Sequence, residues 1–461
     1  MSRPNLVLFM PDQLRADAVG AFGNPAARTP HIDALVARGT RWADAYAQHS
    51  VCGPSRVSLF TGWYPHVAGH RTLTNLIKPW QPNLLRLLRD SGYHVAWAGM
   101  RGDTFAPGVG EASTDRAGFT VMPKMIYGSS PYDREHRFAR AHYHGRRERA
   151  GVSLDHDEAA VRTAEAWLAD GLPEPWVLFV ALIFPHPPFE VEEPWFSLHD
   201  RADMPAPRPT PRGAAPRFVA DLSRLHGFDR LDADDWAELR ATYYGMVSRV
   251  DDQLGRVLHA VDASGAGDRT VTAFFTDHGE YLGDYGLVEK WPSGLHDCLL
   301  RNPLVLAGSG VSEGEVRGDP TELIDLFATA LELAEVEPQH THFGRSLLTG
   351  APRTAAFSEG GFSVEEEPLL ERGPFPYDLK SALQHDEPTA VGRAISMRTR
   401  EWTYVYRLYE GDELYDRAAD PDELDNLAAA RPDVVHDLRA RVLDWMVSTA
   451  DVIPWTPDPR F

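Results

Sequence analysis

The sequence predicts an α/β fold whose large central sheet is mostly parallel and is sandwiched by helices. Apolar runs rich in strand-forming residues end abruptly in polar residues, which is typical of strands buried on both faces of a parallel sheet. These runs span residues 5–10, 94–97, 176–182 and 271–275. Helical patterns lie between them, as at residues 82–90 and 239–258, and this alternation indicates the α/β class.

The pattern of the sequence changes in its last quarter. A chain of 461 residues exceeds one typical domain. Residues 394–399, 402–406 and 413–416 resemble short strands, and residues 434–445 resemble a terminal helix. We therefore expect a large α/β domain over residues 1–350 and a C-terminal subdomain over residues 351–461, with a small antiparallel sheet and a packed helix.

Net charge, the length of apolar runs and cysteine content bear on the partners and the location of the protein. The formal net charge is −21, which disfavours binding to nucleic acid or to an anionic membrane, so an anionic ligand would need local positive charge. The apolar run at residues 6–10 is too short for a signal-peptide core or a membrane span. Cys52 and Cys298 lie far apart and do not suggest a disulfide framework, so we expect a reducing, cytoplasmic location.

Polar side chains follow the ends of three predicted strands. Asp12 and Gln13 come after the first run, His186 after the third, and Asp277 and His278 after the fourth. Ligands of open α/β sheets bind beyond the carboxyl ends of the strands. We therefore expect these five residues to share one site. The alternative, that they are ordinary loop residues, explains any one of them better than it explains all five.

The stretch SVCGPSRVSLFTG, residues 50–62, contains one of the two cysteines. A helix can begin at Pro54, whose missing N–H costs nothing in the first turn. Cys52 and Arg56 would then lie near a helix N-terminus, where backbone N–H groups and a forked guanidinium favour an oxyanion such as sulfate or phosphate. The residues alone leave open whether the thiol is a nucleophile with a lowered pKa or a buried structural cysteine.

The order Cys52-Gly53-Pro54-Ser55-Arg56, followed by Thr61-Gly62, resembles the signature of the formylglycine-dependent sulfatases, in which Cys-x-Pro-x-Arg directs oxidation of the cysteine to an aldehyde. Further matching segments lie along nearly the whole chain, at residues 4–5, 12–13, 29–33, 64–66, 186–189, 276–280, 286–287, 290, 413–416 and 426–427. The resemblance implies an alkaline-phosphatase-like core with a mixed, mostly parallel sheet.

The resemblance also implies the cofactors. Cys52 would be converted to 3-oxoalanine (formylglycine) by a formylglycine-generating enzyme. One hydroxyl of the aldehyde hydrate would attack sulfur, and the second would help to expel sulfate, a route that a thiol cannot follow. One divalent cation would be held by Asp12, Gln13, Asp277, His278 and the converted Cys52. Members of the family usually bind Ca²⁺, whereas a histidine ligand favours Mn²⁺, and Mg²⁺ is a further alternative.

The same resemblance gives roles to further polar residues. Arg56 and Lys290 would bind the substrate and stabilise charge on the non-bridging sulfate oxygens. His186 would contact the substrate as a proton donor or base. Two other polar residues close to Lys290 in the sequence, His296 and Cys298, are expected to belong to the core instead.

One segment departs from the pattern of the family. The common Gly-Lys-x-His segment would fall at residues 99–103, where Met100 replaces the lysine. Arg101 would substitute for the lysine after a shift of one residue, and Asp103, near the histidine position, would contact the substrate. The acid that protonates the leaving alcohol therefore stays open.

The expected function is hydrolysis of a sulfate monoester of a small molecule or an oligosaccharide. Gln13, where many sulfatases carry Asp, and His278, where many carry Asn, resemble the branch that contains phosphonate monoester hydrolases. A phosphonate monoester or phosphodiester hydrolase is therefore the alternative. The incomplete segment at residues 99–103 leaves a non-catalytic anion-binding protein as a rival hypothesis. The sequence does not decide whether the protein forms an oligomer.

Overall fold

The computed structural model of the protein describes residues 3–100, 102–124, 130–147, 153–366 and 373–455. Its strands, in chain order, are β1 (Asn5–Asp12), β2 (Gly39–Tyr46), β3 (His94–Ala98), β4 (Arg116–Gly118), β5 (Tyr143–Arg146), β6 (Trp176–Pro185), β7 (Phe189–Val191), β8 (Thr270–Phe275), β9 (Arg301–Gly308), β10 (Glu315–Arg317), β11 (Thr321–Glu322), β12 (Ala356–Gly360), β13 (Ala394–Arg398), β14 (Trp402–Arg407) and β15 (Glu413–Asp416). Its α-helices, in chain order, are α1 (Pro30–Ala37), α2 (Cys52–Thr61), α3 (Leu84–Asp90), α4 (Val109–Ala112), α5 (His156–Asp170), α6 (Arg217–His226), α7 (Ala233–Ala263), α8 (Asp297–Leu300), α9 (Asp325–Leu333), α10 (Asp378–Asp386) and α11 (Pro432–Ser448).

Nine strands form the central sheet, in the order β10-β2-β9-β8-β1-β6-β3-β4, with β11 also paired to β2. Strand β1 lies at its centre and runs parallel to both β6 and β8. Strand β9 runs antiparallel to β2 and β8. The sheet is therefore mixed and mostly parallel, which confirms the predicted fold class.

Helices cover both faces of this sheet. Successive strand residues point to opposite faces, and in β1 the side chains of Leu6, Leu8 and Met10 pack in one core with α2, α3 and α9. Val7 and Phe9 pack in a second core with α1, α5 and α7. All eight residues of β1 are buried, which explains why its sequence is continuously apolar and does not alternate.

The C-terminal part forms the predicted antiparallel sheet, in the order β12-β13-β14-β15. Helix α11 packs on it, since Leu438 and Val442 belong to the same apolar cluster as Met397, Tyr404 and Leu414. The boundary at residue 350 stays a prediction. Within the described ranges, none of the helices combines the length and apolar character needed to cross a bilayer.

Helix α2 begins at Cys52, two residues before the predicted start at Pro54. Val51 is extended, and Pro54 occupies the first turn, where its missing N–H is tolerated. The helix ends at Thr61 and is capped by Gly62, whose φ of 71° is left-handed and whose N–H donates to the carbonyl oxygen of Ser58 at 2.8 Å. All ten residues of the helix are buried, so Cys52 and Arg56, one turn apart, both lie inside the protein.

Candidate active site

The register of the central sheet brings several predicted residues to one edge. Phe9 of β1 is opposite Phe274 of β8, so Asp12 and Asp277, each three residues further along parallel strands, emerge side by side. On the other flank of β1, Asp12 is opposite Pro185 of β6. His186 therefore emerges at the same edge.

Cys52 lies against these strand ends. Its Sγ is 3.2 Å from Nε2 of His278 and 3.7 Å from Oδ1 of Asp12. Nε2 of His278 is in turn 3.7 Å from Oδ1 of Asp12 and 4.0 Å from Oδ1 of Asp277. One donor atom from each of these four buried residues lies within 4.8 Å of the others. The arrangement has the size and composition of a site for one cation.

Arg56 forms ion pairs with three carboxylates, and its side chain is 1% exposed. Its Nε donates to Oδ2 of Asp277 at 2.7 Å, and its Nη2 donates to Oδ2 of Asp12 at 2.9 Å. Its Nη1 donates to Oδ1 of Asp103 at 2.8 Å. Because Arg56 engages the Oδ2 atoms of Asp12 and Asp277, the Oδ1 atoms of both are turned towards His278.

The donor set fits a divalent cation. Carboxylate oxygens suit hard cations, and an imidazole nitrogen also suits transition metals. Nδ1 of His278 lies 2.8 Å from the carbonyl oxygen of Gly279. Because a carbonyl only accepts, Nδ1 carries the proton and Nε2 presents its lone pair to the cluster. Burial lowers the pKa of His278, which favours this neutral form.

Gln13 adjoins the cluster in a strained backbone conformation. Its φ of 65° is uncommon for a residue other than glycine. Its backbone N–H donates to Oδ1 of Asp277 at 3.0 Å. Its Oε1 accepts from Nζ of Lys290 at 2.5 Å, and its Nε2 donates to Glu280. The structure therefore brings the predicted ligand beside the cluster, with its amide oxygen bonded to Lys290.

The thiol of Cys52 does not have the lowered pKa that a helix N-terminus and an arginine could give it. Burial raises the pKa of the thiol, and the carboxylate of Asp12 raises it further. Arg56 offsets little of this because each of its nitrogens is already paired with a carboxylate. Of the two alternatives that the residues left open, the raised pKa favours the buried thiol over the activated thiolate for the unmodified side chain.

Lys290 belongs to a buried charged group that the sequence analysis did not identify. Oε1 of Glu289 is 2.7 Å from Nζ of Lys290, and Oε2 of Glu289 contacts Nζ of Lys380 in α10. Burial opposes ionisation of Glu289, but the two lysines hold the pKa of this carboxyl well below its usual range. The only signal for Lys380 in the sequence was the rarity of lysine, since the chain contains four.

A cavity of about 500 Å³ adjoins Cys52 and is large enough for a small-molecule ligand. The cavity lies between the carboxyl ends of the central strands and helix α10, and both contribute to its lining. The described residues that line it include Cys52, Arg71, Asp103, His186, Glu289, Lys290, Phe362, Tyr377 and Lys380.

Two of the remaining predicted residues also reach this cavity. Nδ1 of His186 lies 2.6 Å from the carbonyl oxygen of Pro187, which places a proton on Nδ1. Asp103 lines the cavity and holds Arg56. Arg101 lies outside the described residues.

His49 also lines the cavity, although the sequence analysis did not single it out. Its Nδ1 accepts the N–H of Val51 at 3.0 Å, and burial lowers its pKa to about 3. Its ring is therefore neutral and carries its proton on Nε2. The sequence feature that could have pointed to His49 as a residue of the site is its position three residues before Cys52.

Comparison with known proteins gives matches along the chain. A family model described as Sulfatase matches residues 4–336. The chain is 28% identical to the multifunctional alkaline phosphatase superfamily protein PehA of Trinickia caryophylli, over 98% of this chain and 96% of that protein. It is 24% identical to the choline-sulfatase of Rhizobium meliloti, over 92% of this chain and 82% of that protein. The crystal structure of the phosphonate monoester hydrolase of Agrobacterium radiobacter has the same fold, with a TM-score of 0.77 at 24% identity, over 97% of this chain and 96% of that chain.

Proposed function

Because this chain belongs to the sulfatase family of enzymes, we propose that it hydrolyses an organic sulfate monoester in the cavity beside Cys52. The observation that carries the proposal is the buried cluster of Asp12, Cys52, Asp277 and His278, whose donor atoms lie within 4.8 Å of one another. The cluster adjoins a cavity that fits a small alcohol or a sugar residue. A relative named choline-sulfatase supports sulfate esters as substrates.

The working form of residue 52 in this proposal is 3-oxoalanine, made from Cys52 by a formylglycine-generating enzyme. The buried thiol, with its raised pKa, is poorly suited to attack sulfur. A hydrated aldehyde would offer two hydroxyls on one carbon. One would form a bond to sulfur while the S–O bond to the alcohol breaks and the alcohol takes up a proton, and loss of the proton from the second would restore the C=O bond while the C–O bond to sulfate breaks. The chain supplies the position: the buried start of α2 holds residue 52 against Asp12 and His278.

Asp12, Gln13, Asp277 and His278, with residue 52, are proposed to hold one divalent cation. The cation supplies a Lewis acid that polarises a sulfate oxygen and favours ionisation of the attacking hydroxyl. Gln13 would exchange its bond to Lys290 for the cation, and Lys290 would then be free to meet the substrate. Ca²⁺ follows the habit of the family, and Mn²⁺ or Mg²⁺ are the alternatives, of which Mn²⁺ suits the imidazole of His278 best.

Arg56 and Lys290 are proposed to supply positive charge to the sulfate group, Lys290 from the wall of the cavity and Arg56 from its position between Asp12 and Asp277. Arg56 also orients the site, since it fixes the Oδ2 atoms of Asp12 and Asp277 and so aims their Oδ1 atoms at the cation position. Lys290 lies at the mouth of the cluster through its bond to Gln13. Its compact ammonium can stabilise charge that develops on a non-bridging oxygen.

His186 is the proposed acid for the leaving alcohol. It lines the same cavity as Cys52, and because Nδ1 already donates to Pro187, the imidazolium form of the ring would donate its second proton to the alcohol from Nε2. Arg101 and Asp103 are proposed to complete the anion and substrate contacts of the missing Gly-Lys-x-His segment. We also propose a cytoplasmic location, on the basis of two buried, unlinked cysteines.

A phosphonate monoester or phosphodiester hydrolase that uses the same site is the second candidate. Gln13 and His278 in the ligand set favour it, and so does the similarity to a relative named as multifunctional. The two activities are separated by kcat/KM of one preparation for 4-nitrophenyl sulfate, 4-nitrophenyl phenylphosphonate and bis(4-nitrophenyl) phosphate. We expect the sulfate to be preferred. A strong preference for phosphorus would make the second candidate the function, and no turnover by protein with a converted residue 52 would contradict both.

A further inference from the structure

Lys380 is a cation of the cavity that the proposed reaction leaves without a role, and Arg71, another such cation, is already paired with both carboxylate oxygens of Glu366. The chain contains lysine at positions 78, 124, 290 and 380, and arginine supplies all its other cationic side chains of fixed charge. Two of the four lysines, Lys290 and Lys380, line the cavity. Arginine suits fixed bidentate ion pairs, whereas lysine is a compact charge on a flexible stem. A lysine in this position of an arginine-rich chain therefore favours contact with a ligand over a fixed ion pair.

Two lysines in the wall of the cavity make their direct ion pairs with the same carboxylate, that of Glu289. One carboxylate is shared between two lysines, with Oε1 on Lys290 and Oε2 on Lys380. Lys290 is also held at the cluster by Gln13, and its side chain is 7% exposed, against 15% for Lys380. Lys380 is therefore the more accessible of the two cations, and Glu289 cannot neutralise both.

The rest of this wall suits a ring that carries negative charge. Tyr377, just before α10, and Phe362 offer aromatic surfaces to the cavity. Among the described residues that line the cavity, the acidic side chains are Asp103 and Glu289, and both are already paired with cations. A cationic substrate group would therefore find no carboxylate that lacks a partner, whereas an anionic group would meet Lys380.

On the basis of the proposed sulfate ester hydrolysis, we propose that Lys380 binds a second anionic group on the alcohol portion of the substrate. The enzyme then selects ring alcohols that carry a carboxylate or a sulfur oxyanion close to the sulfate ester, and it disfavours cationic alcohols. The bond is a charge-assisted hydrogen bond from Nζ. In a chain with a net charge of −21, such local positive charge is what a doubly anionic substrate requires.

The competing explanation is that Lys380 serves Glu289 alone and never meets the substrate. Glu289 already has Lys290 at 2.7 Å, and it accepts the backbone N–H of Lys290 at 2.9 Å. If Lys380 were purely structural, its loss would slow all substrates by the same factor. If it binds the alcohol, the loss would depend on the charge of the alcohol.

The test compares four substrates that differ in one substituent. They are phenyl sulfate and its derivatives with a carboxylate, a sulfonate or a trimethylammonium group at the meta position. For each substrate, kcat/KM of Lys380→Gln is divided by that of the wild type, so that intrinsic reactivity cancels. We expect this ratio to be about tenfold lower for at least one anionic derivative than for phenyl sulfate, and not lowered for the cationic one. The carboxylate and sulfonate arms identify which anion Lys380 prefers.

Two further variants make the result specific. Lys380→Arg keeps the charge and should retain most of the preference for anionic alcohols. Lys78→Gln removes a lysine that does not line the cavity, and it should leave all four values at those of the wild type. Equal ratios for all four substrates with Lys380→Gln would overturn the inference and leave the proposed function intact. No hydrolysis by wild type with a converted residue 52 would instead overturn the proposed function.

A measurement on the wild type covers the case in which Lys380→Gln fails to fold. The products 3-hydroxybenzoate, phenol and 3-hydroxyphenyltrimethylammonium are compared as inhibitors of phenyl sulfate hydrolysis. We expect the anionic product to inhibit at a concentration about tenfold lower than phenol, and the cationic product to inhibit least. Equal inhibition by all three products would overturn the inference.

Discussion

Replacement of Arg56 by alanine tests the charge balance of the site. Arg56 is 1% exposed, and its three nitrogens donate to Asp12, Asp103 and Asp277. The variant leaves Asp12 and Asp277, both fully buried, without their counter-ion. Removal of one partner from a buried ion pair costs about 3–5 kcal/mol, mainly because the other charge stays buried and uncompensated.

This cost can be converted into a thermal shift. Unfolding entropy is about 2.1 cal/mol/K per residue, so a chain of 461 residues has roughly 1 kcal/mol/K. In the metal-free protein, Arg56→Ala should therefore lower Tm by about 3–5 °C. The shift is small because the protein is large, yet it lies within the reach of calorimetry.

A divalent cation should reverse much of this loss. The cation neutralises the same two carboxylates that Arg56 neutralises. We expect the loss of this competing charge to outweigh the loss of the contacts that orient Asp12 and Asp277, so that they bind the cation more tightly when Arg56 is absent. At a saturating cation concentration, each tenfold tightening of Kd stabilises the variant by about 1.4 kcal/mol relative to the wild type. The Tm difference between the variant and the wild type should therefore be larger in EDTA than in excess Ca²⁺ or Mn²⁺.

Arg249 provides a matched control. It is also completely buried, and it donates to Asp155 from Nη1 at 2.6 Å and from Nη2 at 2.9 Å, but Asp155 does not belong to the cluster of Asp12, Cys52, Asp277 and His278. Arg249→Ala should lower Tm by a similar amount whether or not a cation is present. An Arg56→Ala shift that is the same in EDTA and in excess cation would refute the reasoning that cation and guanidinium share two carboxylates.

Three further changes have defined outcomes. Cys52→Ala should lower kcat/KM for an aryl sulfate about 10⁴-fold or more while the fold persists, and activity near that of the wild type would exclude residue 52 as the source of the nucleophile. Burial lowers the pKa of His296 from 6.5 to about 4. Between these two pH values the histidine is protonated in the unfolded chain but not in the folded protein, so the free energy of unfolding falls as the pH drops. His296→Gln should reduce the slope of the unfolding free energy against pH by about 1.4 kcal/mol per pH unit between these values, and an unchanged slope would contradict the assignment. Gly62→Ala should destabilise the protein by about 1–3 kcal/mol, because φ is 71° and a Cβ would lie 2.9 Å from Cδ1 of Phe327. Chemical denaturation measures this change in the free energy of unfolding. An unchanged free energy would show that the end of α2 can adjust.

The central strands were predictable because burial on both faces imposes continuous apolar sequence. The run at residues 5–10 became Asn5–Asp12, and that at 176–182 became Trp176–Pro185. The start of α2 was placed two residues late, because proline is tolerated throughout the first helical turn and so does not mark the first residue. The choice between helix and strand followed from the residues, whereas the boundary depended on the extended backbone of Val51.

The strand-end residues were also predictable as a group, since parallel strands align their carboxyl ends. Their contacts were not, because these depend on register: Phe9 opposite Phe274 is what brings Asp12 to Asp277. The raised pKa of Cys52 follows first from its burial and then from its proximity to Asp12. Lys380 could not be placed at all, because it reaches Glu289 through the tertiary packing of α10, a helix with no motif of its own.

The central claim is that residue 52 works as an oxidised side chain. The most direct measurement is the mass of the peptide that contains residue 52, in protein purified from its native host. The account predicts that the aldehyde form predominates and that its fraction scales with aryl sulfatase activity across preparations. Fully active protein in which this peptide carries only unmodified cysteine would contradict the account.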